Sequence, residues 1–340
     1  MTFLALGRRL TSGVFVIWIV VSITFLISHV IPADPARAAA GLNAGAEQVE
    51  ATAIALGLNE PVWTQYGNYI SGLVHGDLGT SFSTRQPLRG NLFAAIPATF
   101  ELVLWSMVIY IVLGIGVGLC WGSTRSRRVS NVTRTIVSMC VAMPVFWVAL
   151  MLQMWIAGRL GWAPIQGRLS SDMTAPAQTT GFHTIDAVLS GQPSVFLDAV
   201  WHLLLPVTTL VIWLFALAAR VTSTAVSEEW RAAYVRTARA KGASRTRTVL
   251  HHIFRNAMNP VVTVLGMQFG WLLGGTVLVE VVFSWPGIGL YMFSAMQVFD
   301  YPVILAVTIV ISVAFVFVNL IVDLLYPVLD PRDSRILASR

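Results

Sequence analysis

Long apolar runs, separated by short clusters of charge, set the pattern of this chain. Six windows contain no Asp, Glu, Lys or Arg: residues 13–30, 102–122, 135–158, 199–219, 256–279 and 301–322. A bilayer core of about 30 Å takes about 20 helical residues, so each window is long enough to cross one. Lipid offers no partner to an open backbone, and no series of short alternating strands suggests a barrel, so the windows read as six transmembrane helices. The first, behind Arg8 and Arg9 and ahead of "ARAAAG", has the flanks of a signal peptide. Its apolar run exceeds the usual length of about 7–15 residues, which predicts an uncleaved helix.

Composition agrees. The chain is 56% hydrophobic and 11% charged, against roughly 25% charged in soluble domains, and its mean hydropathy is +0.73. Cys120 and Cys140 both lie in apolar runs, which excludes a disulfide framework and a cysteine-based zinc site. The net charge of +6 has a topological explanation. With the N-terminus inside, 17 of the 22 Lys and Arg fall in inner segments and five in outer ones, as the positive-inside rule requires. Both termini are then cytoplasmic, and no nucleic-acid partner is needed to account for the basic balance.

Between the spans, the first outer segment, residues 32–98, is too long for a simple connection and predicts local helices. "GAEQVEATAIALG" reads as a short helix stopped at Gly57. Asn59 is placed to cap a second, with Pro61 in its first turn and Val62, Tyr66, Tyr69 and Leu73 as an apolar stripe. The segment suits either a cap over the helix ends or a docking surface at the outer mouth. A polar loop covers residues 159–198. The third outer segment, 284–300, opens with "SWPGIG" and continues as an amphipathic piece, "LYMFSAMQVF", too short to span. Gly114, Gly118 and Gly122, and again Gly266, Gly270 and Gly274, repeat every four residues. Such ladders let helices approach closely, inside the bundle or at a subunit contact. Pro144, Pro206 and Pro260 fall within spans and predict kinks.

The chemistry of a self-driven machine is missing. Lys241, the sole lysine, lacks the frame of a Walker A loop, and no H-E-x-x-H or G-x-S-x-G occurs. His251 and His252 are adjacent and point apart on a helix, a poor metal pair. Ion-coupled carriers place ionisable groups near mid-bilayer, yet here the carboxylates stand at span ends: Glu101, Glu280 and Asp323. Glu101, Gln268, Glu280 and Trp285 are the candidates for a substrate pathway. A homo-oligomeric carrier or channel is the alternative function, and a passive assembly scaffold a further one.

The most charged stretch, residues 220–255, joins the fourth and fifth windows. Ser227 reads as an N-cap with Glu228 and Glu229 in the first turn, and Trp230 and Tyr234 follow on one face. "VRTARAK" continues the helix, Gly242 stops it, and "RTRTVLHHIFRNAMNP" leads into the fifth span. Small residues and an aromatic pair suit insertion into a protein groove better than contact with lipid headgroups.

The run from "YVRTARAKGASRTRTVLHHIFRNAMNP" to "VEVVFSWPGIG" resembles the signature region of permease subunits of bacterial dipeptide and oligopeptide ABC importers. "ALGLNEPVWTQYGNYISGLVHGDLGTSF", "IPATFEL" and "YPVLDPR" extend the likeness over nearly the whole chain. It implies a type I ABC importer permease fold in the bacterial inner membrane: residues 1–31 as N-terminal tail and first helix, 32–98 as extracytoplasmic segment, 99–331 as permease core with a coupling loop at 221–258, and 332–340 as cytoplasmic tail. It also implies partners: a second homologous permease, one or two cytoplasmic ATPase subunits that bind ATP and Mg2+, and an external substrate-binding lipoprotein. No cofactor is then held by this chain. The cargo of this family is di- or oligopeptides, or related solutes such as haem, glutathione or nickel chelates. Coupling to the ATPase falls to Glu228, Glu229, Trp230, Tyr234, Arg236, Thr237, Ala238, Arg239, Ala240, Lys241 and Gly242. The wider family's E-A-A-x-x-x-G motif departs here: Arg236, Thr237 and Ala238 stand ahead of Gly242, without the glutamate.

Overall fold

Long uncharged segments in lipid close their own backbone hydrogen bonds, and the described residues are accordingly mostly helical. The computed structural model describes residues 3–30, 35–41 and 44–329, and no strand occurs among them beyond one isolated bridge between Thr80 and Pro87. Among the described residues, five helices are long and apolar enough to span: α1 (Phe3–Val30), α5 (Leu88–Ser123), α9 (Pro193–Glu229), the unit Arg245–Val282, and α14 (Tyr301–Leu329). Arg245–Val282 comprises α11 (Arg245–Arg247), a π-helical stretch over Thr248–Ile253, and α12 (Phe254–Val282).

The third predicted span is not one straight rod. It is broken into α6 (Arg127–Ala142) and the pair Val145–Arg159, bent 98° apart. The second arm starts as α7 (Val145–Leu152) and ends in a π-helical stretch, Gln153–Arg159. Pro144 is the cause: it lacks an N–H and forces Met143 out of the helical region, to ψ 125°. At about 1.5 Å per residue neither arm alone reaches across about 30 Å. Pro206 and Pro260 lie within unbroken helices, where neighbouring groups in the bundle tolerate the lost bond.

In a membrane, apolar side chains gain little by leaving lipid, so helices associate through close packing and interhelical hydrogen bonds. The α5–α9 pair at the centre does both. A Cβ on Gly114 would lie 2.6 Å from the Ala218 Cβ, and one on Gly122 would lie 2.6 Å from the Ser223 carbonyl oxygen. The first ladder therefore packs inside the chain. The second divides: Gly270 meets the Phe315 ring of α14, and Gly274 faces open space. Tyr110 of α5 donates to the Leu265 carbonyl of α12 at 3.2 Å, and Gln268 of α12 donates to the Leu214 carbonyl of α9 at 2.9 Å.

Outside the core, α3 (Ala46–Ala55) and α4 (Val62–Val74) are the two predicted helices of the outer segment, and a short unpredicted one, α2 (Pro35–Ala40), precedes them. Gly57, at φ 66°, turns the chain after α3. Asn59 does not cap α4. Pro61 holds that position without a side-chain cap, because the residue before a proline is kept extended and the helix starts late. The α4 stripe docks on α1, where Phe25 packs against Tyr66 and Tyr69 and Ser22 hydrogen-bonds the Tyr66 hydroxyl at 2.6 Å. The short piece after "SWPGIG" is α13 (Ile288–Gln297).

Candidate coupling elbow and outer clasps

The inner segment folds around one glycine. α9 does not stop at Ser227; Ser227, Glu228 and Glu229 are its last residues, so the predicted N-cap and acidic first turn are corrected. Nothing in the sequence breaks the helix there, and the Ser227 hydroxyl instead donates to the Gly122 carbonyl at the end of α5. A turn through Trp230, Arg231 and Ala232 leads into α10 (Ala233–Ala240), which has no side-chain cap at its start. Its end is well defined. Gly242, at φ 85°, adopts a conformation costly for any other residue, and the Gly242 and Ala243 N–H groups bond the Arg239 and Ala238 carbonyls. Ser244 then caps α11, accepting from the Arg247 N–H at 3.3 Å.

One face of this elbow is anchored and the other is free. Buried Val235 packs with Val226 of α9 and with Ile253 and Ala257 of the following helix, and half-buried Trp230 and Tyr234 close the cluster. The Tyr234 hydroxyl donates to the Glu229 carboxylate, and the Arg245 guanidinium lies 5.3 Å from the Trp230 ring centre. Trp230 and Tyr234 thus share a face as expected, but that face turns inward. Arg236, Thr237, Arg239, Ala240, Lys241 and Gly242 are exposed, as is Glu228, and Ala238 is half-exposed among them. Val235 and Arg245 were not singled out by the sequence, although a β-branched residue amid "YVRTARAK" marks the anchored side.

At the other end of the bundle, buried carboxylates hold the loops, Glu101, Glu280 and Asp300 among them. Glu101 of α5 receives Arg168 of the second outer loop at 2.5 Å, along with the Thr184 N–H and hydroxyl at 2.7 Å each, at the start of α8 (His183–Leu189). Glu280 of α12 accepts the Thr99 hydroxyl of α5 at 2.6 Å and the Leu290 N–H of α13 at 3.0 Å. Asp300 accepts from the Ser81 and Ser83 hydroxyls and from the Phe82 and Ser83 N–H groups, fixing the turn ahead of α5 to the start of α14. The Trp285 indole donates to the Ala98 carbonyl at 2.8 Å. Glu101, Gln268, Glu280 and Trp285 are therefore all buried in seams between elements. Gln268 alone among them keeps an unpaired polar atom, its Oε1. Arg168 and Asp300 escaped sequence reading. Their signal was faint: one arginine in a polar loop, one aspartate at the edge of a span.

Two groups on α8, His183 and Asp186, make this end of the bundle sensitive to acid. Burial, with the Arg168 guanidinium nearby, holds His183 below the usual histidine range. Burial pushes Asp186 up, but hydrogen bonds from Thr180 and Gly181 outweigh it and hold the carboxyl below its usual range. Both folded pKa values lie below the unfolded ones, so the unfolded chain takes up protons first and stability falls as pH drops. For His183 the loss sets in as pH falls through about 6.5, for Asp186 nearer about 4. The melting temperature should fall between about pH 7.5 and about pH 5.5, and His183→Gln should flatten that part of the profile. A wild-type profile already flat there would contradict this.

Two family descriptions cover the chain. "Binding-protein-dependent transport system inner membrane component" matches residues 111–335, and the corresponding N-terminal membrane component matches residues 1–104. The dipeptide transport system permease protein DppB of Alkalihalophilus pseudofirmus is 39% identical over 96% of this chain and 97% of its own length. The probable D,D-dipeptide transport system permease protein DdpB of Escherichia coli K12 is 40% identical over 98% and 99%. The glutathione transport system permease protein GsiC of an Escherichia coli O6:H1 strain is 35% identical over 95% and 96%. With its apolar helices and this match, the chain belongs to the family of inner membrane components of binding-protein-dependent transport systems, as a multi-pass permease of the bacterial inner membrane.

Proposed function

We propose that this chain is one of two permeases of an ABC importer for di- and oligopeptides, with both termini cytoplasmic. The observation that carries the reading is the elbow: a free face of small and basic residues on α10, anchored at Val235 to both α9 and Arg245–Val282. ATPase subunits, holding ATP and Mg2+ themselves, would grip Arg236–Gly242. Glu228 stands beside that face, while Glu229, Trp230 and Tyr234 keep the grip rigid. The unit Arg245–Val282 is 38 residues long, about 57 Å at about 1.5 Å per residue, so a push at the elbow reaches Glu280 at the far end. Glu101, Glu280 and Trp285 lie in the buried seams at the far end that this motion would shift, and buried Gln268 ties the lever to α9 through the Leu214 carbonyl.

Peptide cargo is favoured by the relatives' names: dipeptide, D,D-dipeptide and glutathione transport are all small-peptide transport. Haem and nickel chelates are then the less favoured cargoes. A second permease fits the free stripe of α12, where Met267, Trp271, Gly274 and Leu278 follow i, i+4, i+7 and i+11. Met267 is 67% and Trp271 69% exposed, and Gly274 admits close approach. An external binding lipoprotein would dock on the outer loops.

The test is uptake of a labelled dipeptide into proteoliposomes by the co-purified complex. Uptake should require ATP on the elbow side and loaded binding protein on the other, and this chain alone should transport nothing. Uptake by the chain alone, without ATP, would instead establish a self-contained carrier.

A further inference from the structure

A cavity of about 290 Å³ lies where three elements meet at the elbow end: the close of α5, the close of α9 and the start of α11. Its wall includes Gly122, Ser123, Arg125, Ser227, Trp230 and Arg245, and its ionisable members are the two arginines, with no carboxylate. Two of these residues carry buried polar atoms with no partner, the Trp230 Nε1 and the Ser123 Oγ. The indole N–H is a donor only, so it needs an acceptor, and leaving it buried without one is unfavourable. The nearby helix-end carbonyls are already engaged: Ser123 receives Arg245 and Gly122 receives Ser227. What the wall still offers is therefore donors and positive charge.

We propose that this cavity binds a phosphate group, held between Arg125 and Arg245 and accepting from the Trp230 indole and the Ser123 hydroxyl. Guanidinium forks and neutral N–H and O–H donors match the several acceptor oxygens of a phosphate. Arg245 also covers the Trp230 ring, so an occupant pulls on the elbow and on the α5–α6 corner at once. Occupancy would tie the two together. The phosphate has two possible sources, an anionic lipid headgroup at the membrane surface or free phosphate.

The experiment uses the intact, co-purified transport complex in detergent, titrated with dioctanoyl phosphatidylglycerol, dioctanoylglycerol or inorganic phosphate, with bound ligand read by native mass spectrometry. We expect one tightly retained phosphatidylglycerol per chain, no comparable retention of dioctanoylglycerol, and displacement of the lipid by excess inorganic phosphate. If inorganic phosphate binds and the lipid does not, the site stands and its source is free phosphate. The double variant R125Q/R245Q should weaken retention more than tenfold. Trp230→Phe keeps the ring and removes only the N–H, so it should weaken retention about tenfold. It decides the matter if the double variant fails to assemble. Equal retention by wild type and Trp230→Phe together with R125Q/R245Q, or by Trp230→Phe alone where the double variant does not assemble, overturns the proposal. So does equal retention of dioctanoylglycerol.

Discussion

Gly118→Leu is expected to part the two central helices and to remove most of the folded protein from the membrane. A Cβ at this position would lie 2.8 Å from the Ala219 carbonyl oxygen and closer still to the Thr222 side chain. Side chains can rotate away, but the α9 backbone cannot move without opening the whole α5–α9 seam. Overpacking costs about 1–3 kcal/mol where neighbours adjust and more where they do not. Gly116 is the control, since a Cβ there meets open space. Gly116→Leu should accumulate like wild type, and membrane yield with size-exclusion profiles would check both. Normal yield for Gly118→Leu would mean that the α5–α9 packing is not what holds the core.

Arg168→Ala should be nearly as damaging, for an electrostatic reason. The Glu101 side chain is 1% exposed and that of Arg168 is 9% exposed. Removing the arginine leaves a carboxylate buried with only the Thr184 donors, and breaking a buried pair in this way costs about 3–5 kcal/mol. Removing both charges costs far less, because the desolvation penalty vanishes with them. Thermal unfolding of the purified protein should therefore show a large loss for Arg168→Ala and a smaller one for Arg168→Met combined with Glu101→Met. If the single and double variants fall equally, Arg168 contributes packing and not charge balance.

How far the sequence foretold this structure depends on whether a feature is set locally. Span positions were legible because apolar length alone places them, and Gly57 and Gly242 were legible because a left-handed turn needs glycine. The bend at Met143–Pro144 was half legible: Pro144 was visible, but a 98° break depends on what the second arm packs against. Gln153, for example, donates to the Val282 carbonyl of α12, 129 positions away in the chain. The clasps were least legible. Asp300 meets Ser81 and Ser83 across more than 200 residues, and Glu101 meets Arg168 across 67. No periodicity encodes such meetings. Ser227 misled for a related reason: its preference for an N-cap is weak against a helix with no breaker, and the nearby Gly122 carbonyl satisfied its hydroxyl instead.

The most direct measurement compares ATP hydrolysis with dipeptide uptake, side by side in proteoliposomes, for the wild-type complex and Gly242→Pro. Proline cannot take the φ of 85° seen at Gly242, and it removes the N–H that bonds the Arg239 carbonyl. The elbow then loses its fixed angle while every span stays intact. A gate driven through this elbow predicts an assembled complex that still hydrolyses ATP but takes up at least about tenfold less dipeptide, a change of about 1.4 kcal/mol or more in the coupled step. Uptake at the wild-type rate, with hydrolysis unchanged, would contradict it.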